Sequence, residues 1–293
     1  MTADLEQRLE ALRPKLYRYC ARMTGSAVDG EDVVQDTLLK AVAAMSAEEN
    51  DIANLEPWLF RIAHNVAIDF LRRRARNHAH SADADLDLVP DTEAPVDDPE
   101  IVAASLSTFM RLRAAERGAV ILMDVLQYRL AEITDIMGMS LPAVKSALHR
   151  GRARLRELAR DLHDAPRVEI PSDQRALLSK YIDRFNARDF ERIREMLADE
   201  VKLELVQRER RSGKPAVSGY VANYAHFDDW KLALGIVDGR PAIVVGTPGD
   251  LSGKIDYFIL LQWDGDRVLE IRDFRYARYV MDSVDAVLSS NLG

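Results

Sequence analysis

The apolar residues of this chain change their rhythm once, and that change divides it. From Leu5 to about Leu71, and again from near Ile101 to about Leu162, they return every three or four positions, the repeat of helices with one buried face. Two more helices are expected at about Gln174–Asn186 and Phe190–Ala198. Strand-like runs follow at Val201–Gln207, Ala242–Val245, Ile255–Trp263 and Arg267–Arg275, with turn pairs such as Asp238-Gly239 and Asp264-Gly265 between them. A last helix is expected around Val280–Leu288. The layout predicts a multidomain protein, two all-α domains followed by an α+β domain, with no internal repeat.

Between the helical blocks, Ser81–Glu100 holds Asp83, Asp85, Asp87, Asp91, Glu93, Asp97, Asp98 and Glu100, three prolines, and no lysine or arginine. That composition describes a self-repelling linker. Pro166 and Pro171 mark the next boundary. The expected domains are therefore 1–78, a linker over 79–100, 101–165 and 172–293. Nearly half of the residues are hydrophobic, which excludes general disorder. The net charge of −8 argues against a nucleic-acid partner only until the charge is located along the chain. The single cysteine, Cys20, excludes an internal disulfide framework and a multi-cysteine metal site. No basic-apolar leader opens the chain, and no apolar run approaches the roughly 18 residues a membrane span needs. The expectation is a soluble cytoplasmic protein without membrane contact.

The first block carries DGEDVVQDTLLKAV, and Gly25 and Gly30 are expected to bracket a turn before it. Its acidic residues Glu31, Asp32 and Asp36 lack a nearby histidine and suit a helix N-terminus, so an exposed strip for a protein partner is expected rather than a metal site. A polar loop, Ser46–Glu56, leads to PWLFRIAHNVAIDFLRRRAR, with Pro57 in the first helical turn. Trp58, Ile62, Val66 and Phe70 share a face expected to be buried, and Arg61, Asn65 and Asp69 share another. Arg72, Arg73, Arg74 and Arg76 complement the helix dipole and also concentrate positive charge suited to phosphate.

In order and spacing, these two segments resemble region two of extracytoplasmic-function sigma factors. The resemblance implies that Asp32, Gln35, Asp36 and Leu39 contact the clamp helices of the largest subunit of core RNA polymerase. It implies that the loop 46–56 captures an unstacked base of the −10 promoter element. Arg61, Asn65, Asp69, Arg72, Arg73 and Arg74 would then hold the melted strand, which needs cations for phosphate and a pocket for a flipped base. The loop carries Glu48, Glu49 and Asp51 and no basic residue, so it does not indicate a base preference.

Residues Ala115–Leu158 read as helix, helix, turn, helix. Ala119, Leu122 and Val125 pattern the first helix, and Leu130, Ile133, Ile136 and Met137 the second. Gly138 supplies the turn, Ser140 is a candidate N-cap, and Pro142 fits the next first turn. From Leu141 to Arg160 six lysines and arginines stand against one glutamate, a local charge of +5 inside a chain of −8. A helix-turn-helix with a basic second helix suits the major groove. AEITDIMGMSLPAVKSALHRGRARL resembles region four of the same family, which implies recognition of the −35 element by Lys145, Ser146, His149 and Arg150. Arg152 and Arg154 are further cations for phosphate, and the polymerase flap is the implied partner. A response regulator would place a parallel sheet before such a motif, and the first half shows no strand pattern.

From YIDRFNARDFERIREMLADEVKLELV to IRDFRYARYV, the last part resembles a SnoaL-like cone, helices packed in a curved sheet around a cavity. His226, Asp228, Asp256, Glu270 and Asp273 are its titratable candidates for a ligand cavity. No nucleophile-base motif or metal spacing accompanies them, so neither catalysis nor a cofactor is expected. The resemblance implies an alternative sigma factor whose C-terminal domain regulates it in cis. A small-molecule ligand in the cone would add sensing to that role. An enzyme fused to a DNA-binding module is the competing class, and it would bind DNA without polymerase.

Overall fold

The computed structural model describes residues 3–47, 54–77, 105–160, 170–226, 230–247, 255–284 and 286–288. The chain divides into two units, Met1–Ala165 and Pro166–Gly293. The acidic segment 79–100, and residues 48–53 of the loop before Pro57, lie outside the described residues.

The first unit begins with α1 (Ala3–Thr24), α2 (Ala27–Ala47) and α3 (Leu55–Asn77), packed against one another. Gly25 makes the α1–α2 turn at φ +74°, a backbone region costly for a residue with a Cβ. Gly30 does not share that turn. It lies inside α2, where an added Cβ would sit 2.5 Å from Ala21 Cα, so its small size lets the two helices touch. The buried side chains are Leu16, Tyr19, Cys20 and Met23 from α1, Val33, Val34 and Ala41 from α2, and Leu59, Phe60, Ala63 and Ala67 from α3. The expected row on α3 is therefore corrected. Val66 is buried, but Trp58, Ile62 and Phe70 are only half-buried. The reason is that α3 meets partners on more than one side, and Leu59 and Phe60 face them.

The unit continues with a single turn, α4 (Leu106–Phe109), whose Thr108 N donates to Ser105 Oγ at 3.2 Å. Then come α5 (Ala114–Val120), a π-helical turn (Ile121–Val125), α6 (Leu130–Met137) and α7 (Leu141–Arg160). Leu126 N bonds Ile121 O at 2.9 Å, the i→i−5 bond of that wide turn. Gly138, at φ +64°, ends α6 in the left-handed cap expected of it. Val144 N bonds Ser140 O at 3.0 Å at the start of α7. Gly151 on α7 backs onto Val120 and Glu116, which permits the close crossing of α5 and α7.

The two helical modules are not independent bodies. α3 packs against α6, and α1 against α5. Arg117 of α5 is buried, and burial lowers its pKa to about 10, so it stays charged at neutral pH. It donates to Phe109 O at 2.9 Å, Leu112 O at 2.8 Å and Met110 O at 3.3 Å, and across the seam to Met23 O. Met23 lies in the last turn of α1 and Phe109 ends α4, so one guanidinium donates to carbonyls at two helix ends, where intrahelical donors run out.

The second unit holds α8 (Ser172–Asn186), α9 (Phe190–Met196), and α10 (Lys214–Asn223) with a 3-10 turn at Tyr224–His226. Seven strands complete it: β1 (Leu197–Leu205), β2 (Glu209–Ser212), β3 (Lys231–Val237), β4 (Arg240–Gly246), β5 (Tyr257–Asp264), β6 (Arg267–Asp273) and β7 (Ala286–Leu288). Their order is β2-β1-β6-β5-β4-β3-β7, antiparallel except for the parallel pair β1–β6. Asp238 and Gly239, at φ +49° and +75°, form the two-residue turn of the β3–β4 hairpin. Tyr181, Phe185, Ile193, Val221 and Trp230 pack on Leu203, Ile243, Ile259 and Ile271, joining the helices to one face of the sheet. This is the α+β arrangement expected. The final helix expected at 280–288 is instead a 3-10 turn (Arg278–Asp282) followed by β7, whose Val287 pairs with Ile236. Gly235 admits that strand, because an added Cβ would sit 2.9 Å from Val287 O.

Gly30→Ala is expected to destabilise the first unit by about 1–3 kcal/mol through overpacking against Ala21. Urea unfolding followed by circular dichroism measures the loss.

Candidate nucleic-acid interface

On α2 the expected partner strip is partly rearranged. Glu31 is buried and ion-paired with Arg13, so it is not part of an exposed acidic surface. Asp32 and Gln35 are half-buried and Asp36 is exposed. Leu39 is 65% exposed, unusual for leucine beside such a well-filled core. The four follow at i, i+3, i+4 and i+7, so they occupy one face.

Arg61, Asn65 and Asp69 form an exposed row on α3, and Arg72, Arg73 and Arg74 extend it to the helix end. Arg72 lies 3.7 Å from Asp69, and Arg74 3.2 Å from Asp29. Such exposed pairs are weak and can exchange a carboxylate for a phosphate.

On α7, His149 and Arg154 are exposed, whereas Lys145, Ser146 and Arg150 are half-buried. Arg150 Nε donates to Glu116 Oε1 at 3.0 Å, and Arg154 pairs with Glu157 at 3.0 Å. Lys145, His149 and exposed Arg156 fall on one stripe at i, i+4 and i+11. Arg152 requires a correction. Its side chain is 3% exposed and bonds Asp124 in a fork, Nε to Oδ2 at 2.9 Å and Nη2 to Oδ1 at 2.6 Å. A guanidinium committed in this way is part of the core and does not reach phosphate. Asp124 comes from the π-helical turn and was not singled out in the sequence. The signal was its place inside the apolar run ILMDVL, where a carboxylate needs a buried cation.

The four described titratable candidates of the second unit do not converge. His226 is exposed, Asp256 is half-buried before β5, and Asp228 lies outside the described residues. Glu270 and Asp273 sit three positions apart on β6, so they face opposite sides of the sheet. Only Asp273 points into the core. It accepts from Tyr220 and Tyr224 hydroxyls, the latter at 2.9 Å, and from Arg275 N at 2.8 Å. Burial raises its pKa, and these donors partly oppose that rise. Tyr220 and Tyr224 are also linked to each other at 2.9 Å, so the carboxylate is held by a satisfied network. Among the described residues no group of histidine, cysteine and carboxylate side chains is placed to hold a metal ion. None of their helices is long and apolar enough to cross a membrane.

His64, on the buried side of α3, was not singled out either. Tyr19 Oη lies 2.6 Å from its Nδ1, and burial lowers its pKa to about 4.

Two family models match the chain, Sigma-70 region 2 over residues 9–77 and Sigma-70, region 4 over residues 106–155. The ECF RNA polymerase sigma factor SigG of Mycobacterium tuberculosis is 34% identical over 229 residues, 69% of this chain and 61% of that protein. The chain thus spans about three fifths of the length of that relative. The ECF RNA polymerase sigma factor SigL of the same species is 32% identical over 153 residues, 50% of this chain and 84% of that protein. Among solved structures, the Mycobacterium tuberculosis extracytoplasmic function sigma factor SigJ is 19% identical with a TM-score of 0.36, covering 91% of this chain and 95% of that one.

Arg152→Ala is expected to cost about 3–5 kcal/mol, because it leaves Asp124 buried without its cation. Exposed His149→Ala should stay within about 0.5 kcal/mol, and urea unfolding separates the two. Stability should also fall as pH drops from about 6.5 toward about 4. The unfolded chain takes up the His64 proton in that window, while the folded chain keeps the ring neutral. His64→Gln should flatten the part of the pH profile that this ring contributes.

Proposed function

Since the chain belongs to the extracytoplasmic-function sigma factors of RNA polymerase, we propose that it joins core polymerase, directs it to particular promoters and starts transcription there. The observation that carries this reading is the placement of the exposed cations. Arg61 and Arg72–Arg74 stand on α3 and Arg154 on α7, with half-buried Lys145 on the same helix, within the segments matched by regions two and four, in the family's order.

In this reading residues 1–78 form the module for polymerase and the −10 element. Asp32, Gln35, Asp36 and Leu39 meet the clamp helices, with Leu39 as the apolar anchor of an otherwise polar contact. Arg61, Asn65 and Asp69 line the opened strand, and Arg72–Arg74 neutralise its phosphates. Residues 101–165 read the −35 duplex and meet the polymerase flap. Lys145, Ser146, His149 and Arg150 stand near the N-terminus of the reading helix, where side chains reach base edges. Arg154 and Arg156 anchor phosphate, and Arg152 holds the helix in place from inside. The acidic segment 79–100 joins the two modules.

The domain over 172–293 modulates this activity in cis. Support comes from its own complete core, with Asp273 tied into tyrosines rather than presented to a substrate. A few kcal/mol of differential binding would shift the activity of the attached modules.

Transcription with purified core polymerase on a promoter library tests the reading. Leu39→Asp should lower the affinity for core polymerase at least about tenfold by placing a charge in the apolar contact. Lys145→Ala should lower output from promoters with an intact −35 element and narrow the difference from promoters lacking it. A chain truncated after residue 165, with its helical circular dichroism retained, should give a changed output. An unchanged one removes regulation in cis. Duplex binding that never depends on polymerase would favour an enzyme with a DNA-binding module.

A further inference from the structure

Charge is spread unevenly over the sheet of the second unit. β1 and β6 run parallel and β2 returns along the other side of β1, so the ends of β1 and β6 lie together with the start of β2. Residues 204–211 and 272–278 gather there. They hold six arginines, Arg208, Arg210, Arg211, Arg272, Arg275 and Arg278, against three carboxylates, Glu204, Glu209 and Asp273. Residues 195–200 and 264–267, at the opposite end of the same strands, hold five carboxylates against Arg267. The two ends therefore carry +3 and −4 in a chain of net −8. We propose that the arginine-rich end is a further nucleic-acid contact, which grips duplex phosphates without reading sequence. The inference takes DNA as the partner from the sigma-factor reading and adds a surface outside the segments matched by regions two and four.

The positive surplus persists because the carboxylates are shared or buried. Arg210 Nη2 donates to Glu204 Oε1 at 2.6 Å, and Arg272 Nε lies 2.8 Å from the other oxygen of that carboxylate. One negative charge thus faces two guanidiniums. Glu209 accepts from Arg211 at 2.7 Å, and Asp273 is turned inward onto Tyr220 and Tyr224. Arg208 and Arg278 are exposed. The Arg208 guanidinium lies 4.4 Å from the ring centroid of Tyr276, which is itself 43% exposed. The backbone fixes this pair. Val206–Arg208 form the three-residue turn between β1 and β2, with Gln207 left-handed at φ +73°. Val206 N bonds Asp273 O at 3.0 Å and Arg208 N bonds Leu205 O at 2.8 Å, which ties the turn to the end of β6. Arg278 stands two residues beyond Tyr276, within about 7 Å by chain reach. Cations already held in place lose little freedom when they bind.

Two features favour a duplex over an acidic protein surface. All six cations are arginine, whose planar fork matches phosphate oxygens and stays charged at any working pH. A duplex presents an unbroken row of such anions, whereas a protein surface mixes both signs. The same chain also carries the cations of α3 and α7, so a duplex held by them meets the second unit as an intramolecular event.

Fluorescence anisotropy of the full-length chain on a labelled mixed-sequence duplex, over a series of potassium chloride concentrations, tests the contact. Core polymerase is absent, so the titration reads sequence-independent binding and not promoter choice. Arg208→Gln with Arg278→Gln should make the slope of log affinity against log salt shallower by about 1.8, two phosphates at about 0.9 each. Lys180→Gln with Arg192→Gln removes the same charge from exposed positions on α8 and α9, and should leave the slope unchanged. Equal losses in both pairs would reduce the effect to net charge and overturn the proposal. So would an unchanged slope in the first pair, or no binding by the parent chain at the lowest salt. A first pair that weakened only the association with core polymerase would assign the surface to an acidic protein partner and overturn the nucleic-acid contact. Failure of the parent chain to bind core polymerase would instead sink the sigma-factor reading, and the duplex titration would still decide this contact.

Discussion

The first unit depends on a cation that, among the described residues, is held by main-chain oxygens rather than a carboxylate. Arg117 is taken out of water, which costs several kcal/mol unless its donors are satisfied. The satisfaction comes from main-chain oxygens, those of Met23 and Phe109 near the ends of two helices, where partial negative charge accumulates, and that of Leu112 in the bend between α4 and α5. The direction of α1, the position of the short α4 turn and the seating of α5 are therefore set by a single side chain. An apolar residue in its place would remove this donor from each of them, leaving Phe109 O with Leu112 N at 3.1 Å.

Much of this was legible in the sequence, and the misses have physical causes. The helix-turn-helix was readable because α6 and α7 are amphipathic and Gly138 has a conformation other residues avoid. The buried face of α3 was misread because periodicity assumes one partner, while this helix has several. Trp58, Ile62 and Phe70 looked like a core row, yet the packed row runs through Leu59, Ala63 and Ala67. Glu31 and Arg152 were counted as surface charges, since one sequence shows each charge but not the opposite charge that neutralises it. Arg13 lies eighteen positions from Glu31, and Asp124 twenty-eight from Arg152. The docking of the modules was illegible for the same reason, because it runs through Lys15, Glu56 and Tyr128, three residues with no shared pattern.

In the second unit the strands that escaped notice are those that depart from alternation. β3 is covered along most of its length and contains Gly235, β2 is a charged edge, and β7 has only three residues. Charge on β2 and brevity in β7 are what protect the two margins of a sheet from pairing with another chain. The titratable residues scattered over this domain illustrate a general point. Carboxylates three apart on a strand belong to different surfaces, so closeness in sequence is no guide to a shared site.

The internal fork between Arg152 and Asp124 has a thermodynamic echo at the nucleic acid. Each phosphate neutralised by a protein cation liberates condensed counterions, and the logarithm of affinity falls with the logarithm of salt by about 0.9 per phosphate. Arg152 liberates none, so α7 carries one fewer displacing charge than its composition suggests. In the proposed promoter-binding role, its hold on duplex would be correspondingly less sensitive to ionic strength than the count of basic residues on α7 suggests.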